Sequence, residues 1–139
     1  MKKKIVITGG LGYIGTELCK LYSGVSWHHQ VVVIDNRFIS ERVNQIRNWN
    51  IEFIQGDILD KNLINKHLKD ADIVHHLAGI TDVPRTMNET TSDKDHLIRE
   101  VGEKGTQNIL DAISDKCKII FPSTHVVYEG IKEVKNNIK

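Results

Sequence analysis

Three glycines and one acid carry the first chemical signal in this chain. The segment Thr8-Gly9-Gly10-Leu11-Gly12-Tyr13-Ile14-Gly15 follows a short apolar run, Ile5-Val6-Ile7, and precedes apolar residues at helical spacing. At a strand-to-helix junction of this kind Gly9 permits a tight turn. Gly12 lets the backbone approach a pyrophosphate, and Gly15 lets helix and strand pack closely. The helix start offers free N–H groups and a partial positive charge to phosphate oxygens. GxGxxG is also spelled from Gly10, a weak sign alone because glycines punctuate ordinary turns. Asp35 strengthens it. It lies twenty residues beyond Gly15, at the end of the next apolar run, where a carboxylate can accept both hydroxyls of an adenosine ribose. A 2′-phosphate would meet that negative charge, so the pattern points to NAD over NADP; Arg37 weakens the exclusion without reversing it. No GxxxxGK[ST] loop is present, which argues against nucleoside triphosphate hydrolysis.

The elements that must position these residues follow from the apolar pattern. Ile5-Val6-Ile7, Val31-Val32-Val33-Ile34, Ile51-Glu52-Phe53-Ile54, Asp72 to His76 and Lys118 to Phe121 read as five strands. Between them, a helix is expected from Tyr13 to about Ser23, with Ile14, Leu18, Leu21 and Tyr22 on its apolar face. A short one is expected from Ile39 to Ile46, and another after Asp60, a plausible cap, carrying Leu63, Ile64 and Leu68. A long helix from about Asp93 to Ser114 would place Leu97, Ile98, Val101, Gly105, Ile109, Leu110 and Ile113 on one stripe. Strands apolar throughout and separated by helices imply a parallel sheet covered on both faces. Right-handed crossovers then imply an α/β fold of Rossmann type, a doubly wound sheet of about five strands.

Composition narrows the function classes. At 139 residues the chain is one domain's worth, and 19 basic against 18 acidic residues leave a net charge of +1. That bias is too small to argue for nucleic acid or a membrane surface. Lys2-Lys3-Lys4 precedes an apolar stretch too short for a signal peptide or a membrane span, and solvates the start of a buried strand. Cys19 and Cys117 belong to no CxxC motif and read as free thiols, consistent with a cytoplasmic protein.

The histidine pairs His28-His29 and His75-His76 have structural roles, since neighbours on a strand point to opposite faces and no closed-zinc spacing occurs. No metal site is expected. Trp27 and Trp49 read as packing anchors. By position alone Asp57 is either a loop capper or an adenine ligand. Ser123-Thr124, after the fifth strand, could serve the backbone or meet a ligand at the sheet's carboxyl edge.

Five motifs in order, TGGLGYIG, VVVIDN, GDI, HHLAG and FPSTHVVYEG, make the chain resemble the N-terminal part of extended short-chain dehydrogenases/reductases. Within that class it is similar to the NAD-dependent epimerase/dehydratase family that includes UDP-glucose 4-epimerase, from Lys4 to Gly130. The resemblance implies that Gly9, Gly12, Tyr13, Ile14 and Gly15 line the pyrophosphate and that Asp35 holds the ribose, with Asn36 nearby. It implies that Asp57 and Ile58 recognise adenine, and that Leu77, Ala78 and Gly79 run under the nicotinamide half. Thr81 would be a further cofactor contact. Thr124, four residues before Tyr128, would be the catalytic hydroxyl that hydrogen-bonds the reacting oxygen of a nucleotide-linked sugar.

Family enzymes move a proton through a tyrosine in a Tyr-x-x-x-Lys pair, whose lysine lowers the tyrosine's pKa. Tyr128-Glu129-Gly130-Ile131-Lys132 spells such a pair. We reject it, because Tyr128 matches the residue that ends the Ser/Thr motif itself and Gly130 disfavours a helix by about 1 kcal/mol. Gly102 stands where many members carry asparagine, so a contact near the active site is lost or replaced. The expected organisation is an NAD-binding domain over residues 1–130 and a polar tail over 131–139. The substrate-binding region would be absent and the fifth strand an uncovered edge. The expected function is the cofactor-holding part of an epimerase/dehydratase-type oxidoreductase, without turnover alone, completed by a homodimer or a complementing chain. The rival readings are a non-catalytic NAD-sensing module and a truncated fragment.

Overall fold

The expected alternation forms one parallel sheet in the computed structural model, which describes residues 1–80 and 92–123. Its strands are β1 (Lys4–Thr8), β2 (Gln30–Asp35), β3 (Glu52–Gln55), β4 (Ile73–His76) and β5 (Lys118–Ile120), in the order β3-β2-β1-β4-β5. Each pairing is parallel. Helices α1 (Tyr13–Tyr22), α2 (Ser40–Asn48) and α3 (Lys61–Leu68) make the first crossovers. The connection into β5 runs through α4 (Ser92–Arg99), a π-helical stretch (Glu100–Gly105) and α5 (Thr106–Ala112). Thr81, Thr124 and the Tyr128 to Lys132 pair lie outside the described residues.

Alternation along the strands divides the core in two. Ile5, Ile7, Val31 and Val33 face α1 and α2, meeting Cys19, Val43 and Ile46. Val6, Val32, Ile34 and Val74 face the other way, meeting Ile58, Ile64, Leu68, Ile109 and Ala112. Successive side chains leave a strand on opposite faces, so a strand covered on both sides is apolar throughout. Asp60 caps α3 as its position suggests, its carboxylate accepting from the Asn62 and Leu63 N–H groups at 3.0 Å.

Three expectations about packing are corrected. In α1 the apolar spacing marks the buried face only in part: Leu18 and Tyr22 pack against the core beside buried Gly15 and Cys19, while Ile14 is 67% and Leu21 77% exposed. The glycine turn brings the start of α1 so close that only a glycine fits at position 15. In the long helix, Leu97 and Leu110 lie outside the buried stripe, 47% and 46% exposed. The π-helical stretch inserts extra winding between them, so one period of 3.6 cannot describe both ends. Trp27 is 70% exposed and anchors nothing. Ser26 is buried in its place, its hydroxyl donating to the Trp49 carbonyl, and Trp49 packs against the α1–α2 core.

Candidate functional site

Strand order reverses beside β1, because β2 leaves on one side of it and β4 returns on the other. The loops that follow β1 and β4 therefore diverge at the carboxyl edge and leave a crevice between them. A cleft of about 730 Å³ opens there, lined by Gly9, Gly12, Tyr13, Asp35, Asn36, Asp57, Ile58, Leu77, Ala78 and Gly79 among others. Most of the candidate cofactor residues thus meet around one space of a size that suits a small-molecule ligand. Ile14 and Gly15 do not line it. Ile14 points outward, and Gly15 faces the turn from below.

The glycines have separate jobs. Gly9 has φ +69°, a left-handed backbone, and a Cβ there would lie 2.7 Å from the Ala78 nitrogen. A Cβ at Gly15 would lie 2.6 Å from both the Gly10 Cα and the Gly9 carbonyl oxygen, so these two positions are glycine for packing. Gly12 differs. Its backbone is extended (φ −73°, ψ 177°), and a Cβ would meet nothing nearer than the Gly9 carbonyl oxygen at 3.3 Å. Space above Gly12 is therefore available to a ligand. The first bond into α1 runs from the Thr16 N–H to the Gly12 carbonyl at 2.9 Å. The Tyr13, Ile14 and Gly15 amides precede it, in the first turn where helical N–H groups have no acceptor. With no acid in that turn and no side-chain cap, the end of α1 keeps its partial positive charge.

Asp35 is tied to this turn directly. Its carboxylate is nearly buried and accepts from the Leu11 N–H and the Arg37 N–H, each at 3.0 Å. Two amides use about half of the lone-pair sites of a carboxylate, and the Arg37 guanidinium occupies the rest from the open side, with Nε 3.3 Å from Oδ1 and Nη2 3.5 Å from Oδ2. The Arg42 guanidinium, from α2, donates to the Leu11 carbonyl and stands 5.5 Å from the Tyr13 ring centroid. At the far wall, the Asp57 carboxylate accepts from the Leu59 N–H at 2.9 Å. The Asn108 amide, on α5, donates to the Ile58 and Leu59 carbonyls at 3.0 and 3.3 Å. Gly105 lets that helix close on Ile58, whose side chain occupies the room a Cβ would need.

Beneath the loop after β4 lies a buried polar chain. The Ala78 N–H donates to the Thr8 hydroxyl oxygen at 3.3 Å, and that hydroxyl shares a 2.8 Å hydrogen bond with His76 Nδ1. His76 Nε2 shares another with the Thr106 hydroxyl at 2.9 Å. Burial pushes the His76 pKa down to about 4, so the ring is neutral at neutral pH. His75 points to the opposite face and bonds the Tyr22 hydroxyl at 2.7 Å. Cys19, under Gly10, has its pKa pushed up to about 12 by burial and is unreactive. Among the described residues no three His, Cys or carboxylate side chains group as metal ligands.

Thr8, Arg42, Thr106 and Asn108 were not anticipated. Thr8 and Thr106 adjoin the glycines that sequence reading singles out, which is a usable signal. Arg42 and Asn108 act across tens of residues and leave no local trace. Gly102 has no atom within 4 Å of a built Cβ, so no described group fills the place of the absent side chain.

Order reversal at β1 with a cleft above it defines the Rossmann-type domain. Sequence comparison narrows the class. The chain belongs to the 3-beta hydroxysteroid dehydrogenase/isomerase family, whose sequence model matches residues 6–137. Its relatives are epimerases, dehydratases and kindred enzymes. It is 38% identical over 130 residues to UDP-N-acetyl-alpha-D-glucosaminuronate decarboxylase of Bacillus cytotoxicus, across 92% of this chain and 38% of that protein. To UDP-glucose 4-epimerase of Neisseria meningitidis serogroup C it is 32% identical over 142 residues, across 91% and 38%. Among solved structures, UDP-glucose-4-epimerase of Stenotrophomonas maltophila with bound NAD and formylated UDP-arabinopyranose superposes with a TM-score of 0.72 at 23% identity, covering 94% of this chain and 40% of that one. Helicobacter pylori ADP-L-glycero-D-manno-heptose-6-epimerase gives 0.71 at 26% identity, covering 99% and 44%. The chain spans 38% of the length of both curated relatives. No helix of the described residues is long and apolar enough to cross a membrane.

Proposed function

We propose that this chain is the NAD-binding domain of an epimerase/dehydratase-type oxidoreductase acting on a nucleotide-linked sugar. The observation that carries the reading is the coupling of turn and acid: Asp35 accepts from Leu11 inside the glycine turn, and its other partner from the open side is the exposed Arg37 guanidinium, which a ribose diol can displace. The residues fit the group. Gly9, Gly12 and the first amides of α1 would hold the pyrophosphate, with Tyr13 and Ile14 flanking it and Gly15 keeping α1 close. Asp35 and Asn36 would hold the ribose, Asp57 and Ile58 the adenine, and Leu77, Ala78, Gly79 and Thr81 the nicotinamide half. Bound there, NAD would supply reversible hydride transfer at a sugar carbon. Thr124 is the hydroxyl suited to orient the reacting oxygen. Tyr128 and Lys132 are not assigned the proton-transferring role of the family's Tyr-x-x-x-Lys pair.

A non-catalytic NAD-binding module is the second reading, favoured by the open space at Gly102 where a family asparagine would stand. Calorimetric titration with NAD⁺ tests the shared core of both. Binding should weaken by at least about tenfold in Asp35→Asn, which loses a charge-assisted pair of hydrogen bonds to the diol. Equal affinity in the variant would contradict the ribose assignment. Turnover of UDP- or dTDP-sugars with NAD⁺ by this chain alone would overturn the rejection of Tyr128 and Lys132. Turnover that appears only when a second chain supplies a Tyr-x-x-x-Lys helix favours the enzyme, and binding without turnover in that mixture favours the module.

A further inference from the structure

Arg37 places a cation where the NAD reading needs none. Beyond its backbone bond to Asp35, its guanidinium lies against the same carboxylate, with Nε 3.3 Å from Oδ1 and Nη2 3.5 Å from Oδ2. The Arg37 side chain is 56% exposed and that of Asp35 3%, so the cation covers the acid from the open side. The same Nη2 is 4.0 Å from a Cβ built at Gly12, which carries the guanidinium over the glycine turn. Arg42 brings a second cation to the Leu11 carbonyl, while the Leu11 N–H goes to Asp35. Two guanidinium groups therefore stand at this turn, Arg37 on the Asp35 carboxylate and Arg42 on the Leu11 carbonyl.

A lone buried carboxylate rejects a ribose 2′-phosphate by repulsion. A carboxylate already neutralised by a guanidinium rejects it far less, and the guanidinium has donors to spare for phosphate oxygens in a planar fork. We propose that Arg37 lets this cleft accept NADP as well as NAD. With NAD the ribose diol displaces the guanidinium from Asp35; with NADP the guanidinium turns to the 2′-phosphate and screens it from the acid. The inference rests on the dinucleotide reading above.

The test is titration of NAD⁺ and NADP⁺ into the protein and into Arg37→Met, with thermal melts to check folding. In the variant Asp35 keeps its bonds from the Leu11 and Arg37 backbone N–H groups, and the melts show that the protein compared is folded. Wild type should bind both dinucleotides, and Arg37→Met should weaken NADP⁺ at least about tenfold more than NAD⁺, the worth of a lost charge-assisted contact. A smaller difference, or wild type that binds NAD⁺ and not NADP⁺, overturns the inference alone. Binding of neither overturns the dinucleotide reading and this inference with it.

Discussion

At the Asp35 end of the cleft, charged and amide side chains reach across the fold to fix backbone: Asp35 and Arg42 hold Leu11, and Asn108 holds the Ile58–Leu59 turn. At the β4 end the fixing group is a neutral imidazole, His76, bracketed by two threonine hydroxyls and stacked on Phe121 at 5.4 Å. The difference teaches where charge is useful. A polar wall open to the cleft keeps its charges and shares them. A floor beneath a backbone loop buries its polar atoms uncharged, because a desolvated cation there would be costly. Both ends meet at Gly9, packed on the Ala78 backbone.

The largest effect should come from disturbing that junction. Gly15→Ala puts a methyl carbon 2.6 Å from backbone atoms of Gly9 and Gly10, which cannot retreat as a side-chain end could. It should cost at least about 3 kcal/mol, read by urea unfolding, and abolish NAD⁺ binding at both ends of the cleft together. A variant of wild-type stability would contradict the tight contact.

The β4 end should next reveal itself by pH. The His76 pKa is lowered from 6.5 to about 4 in the folded protein. Between those values the unfolded chain takes up a proton that the folded one refuses, so stability is full above about pH 6.5 and falls as the pH drops toward 4. The loss reaches about 3 kcal/mol at most. His75, lowered by burial and by Lys118, acts in the same direction. Unfolding curves at pH 7.5 and 5 should separate, and His76→Gln should narrow the gap; an unchanged gap would show that other groups carry it.

The smallest effect belongs to the Asp35 end. Asn108→Ala removes two donations to backbone carbonyls and should cost about 1 kcal/mol, with a modest loss of NAD⁺ affinity from a looser Asp57 loop. An unchanged affinity would separate α5 from the binding site.

Much of this fold was legible because its strands are covered on both faces. Val31 to Ile34 and Ile5 to Ile7 can be nothing but buried, and Asp60 caps the helix it precedes. The glycine turn was legible for a similar reason, since close approach excludes every other residue type at Gly9 and Gly15. Periodicity failed where winding departed from regularity, since the π-helical stretch separates Leu97 from Leu110, and where small residues took the contact, since α1 buries Gly15 and Cys19 and leaves Ile14 and Leu21 outside. Arg42 and Asn108 were illegible because nothing near them in sequence says which carbonyl they will meet.

Gly12 gives the most direct test, because among the glycines of the turn it is the one a Cβ would crowd least, with the Gly9 carbonyl oxygen at 3.3 Å. Gly12→Val keeps an extended backbone that valine adopts readily, so its melting temperature should stay within a few degrees of wild type, while calorimetry should show NAD⁺ affinity lower by at least about a hundredfold. A folded Gly12→Val protein that binds NAD⁺ as wild type does would contradict the account at its centre.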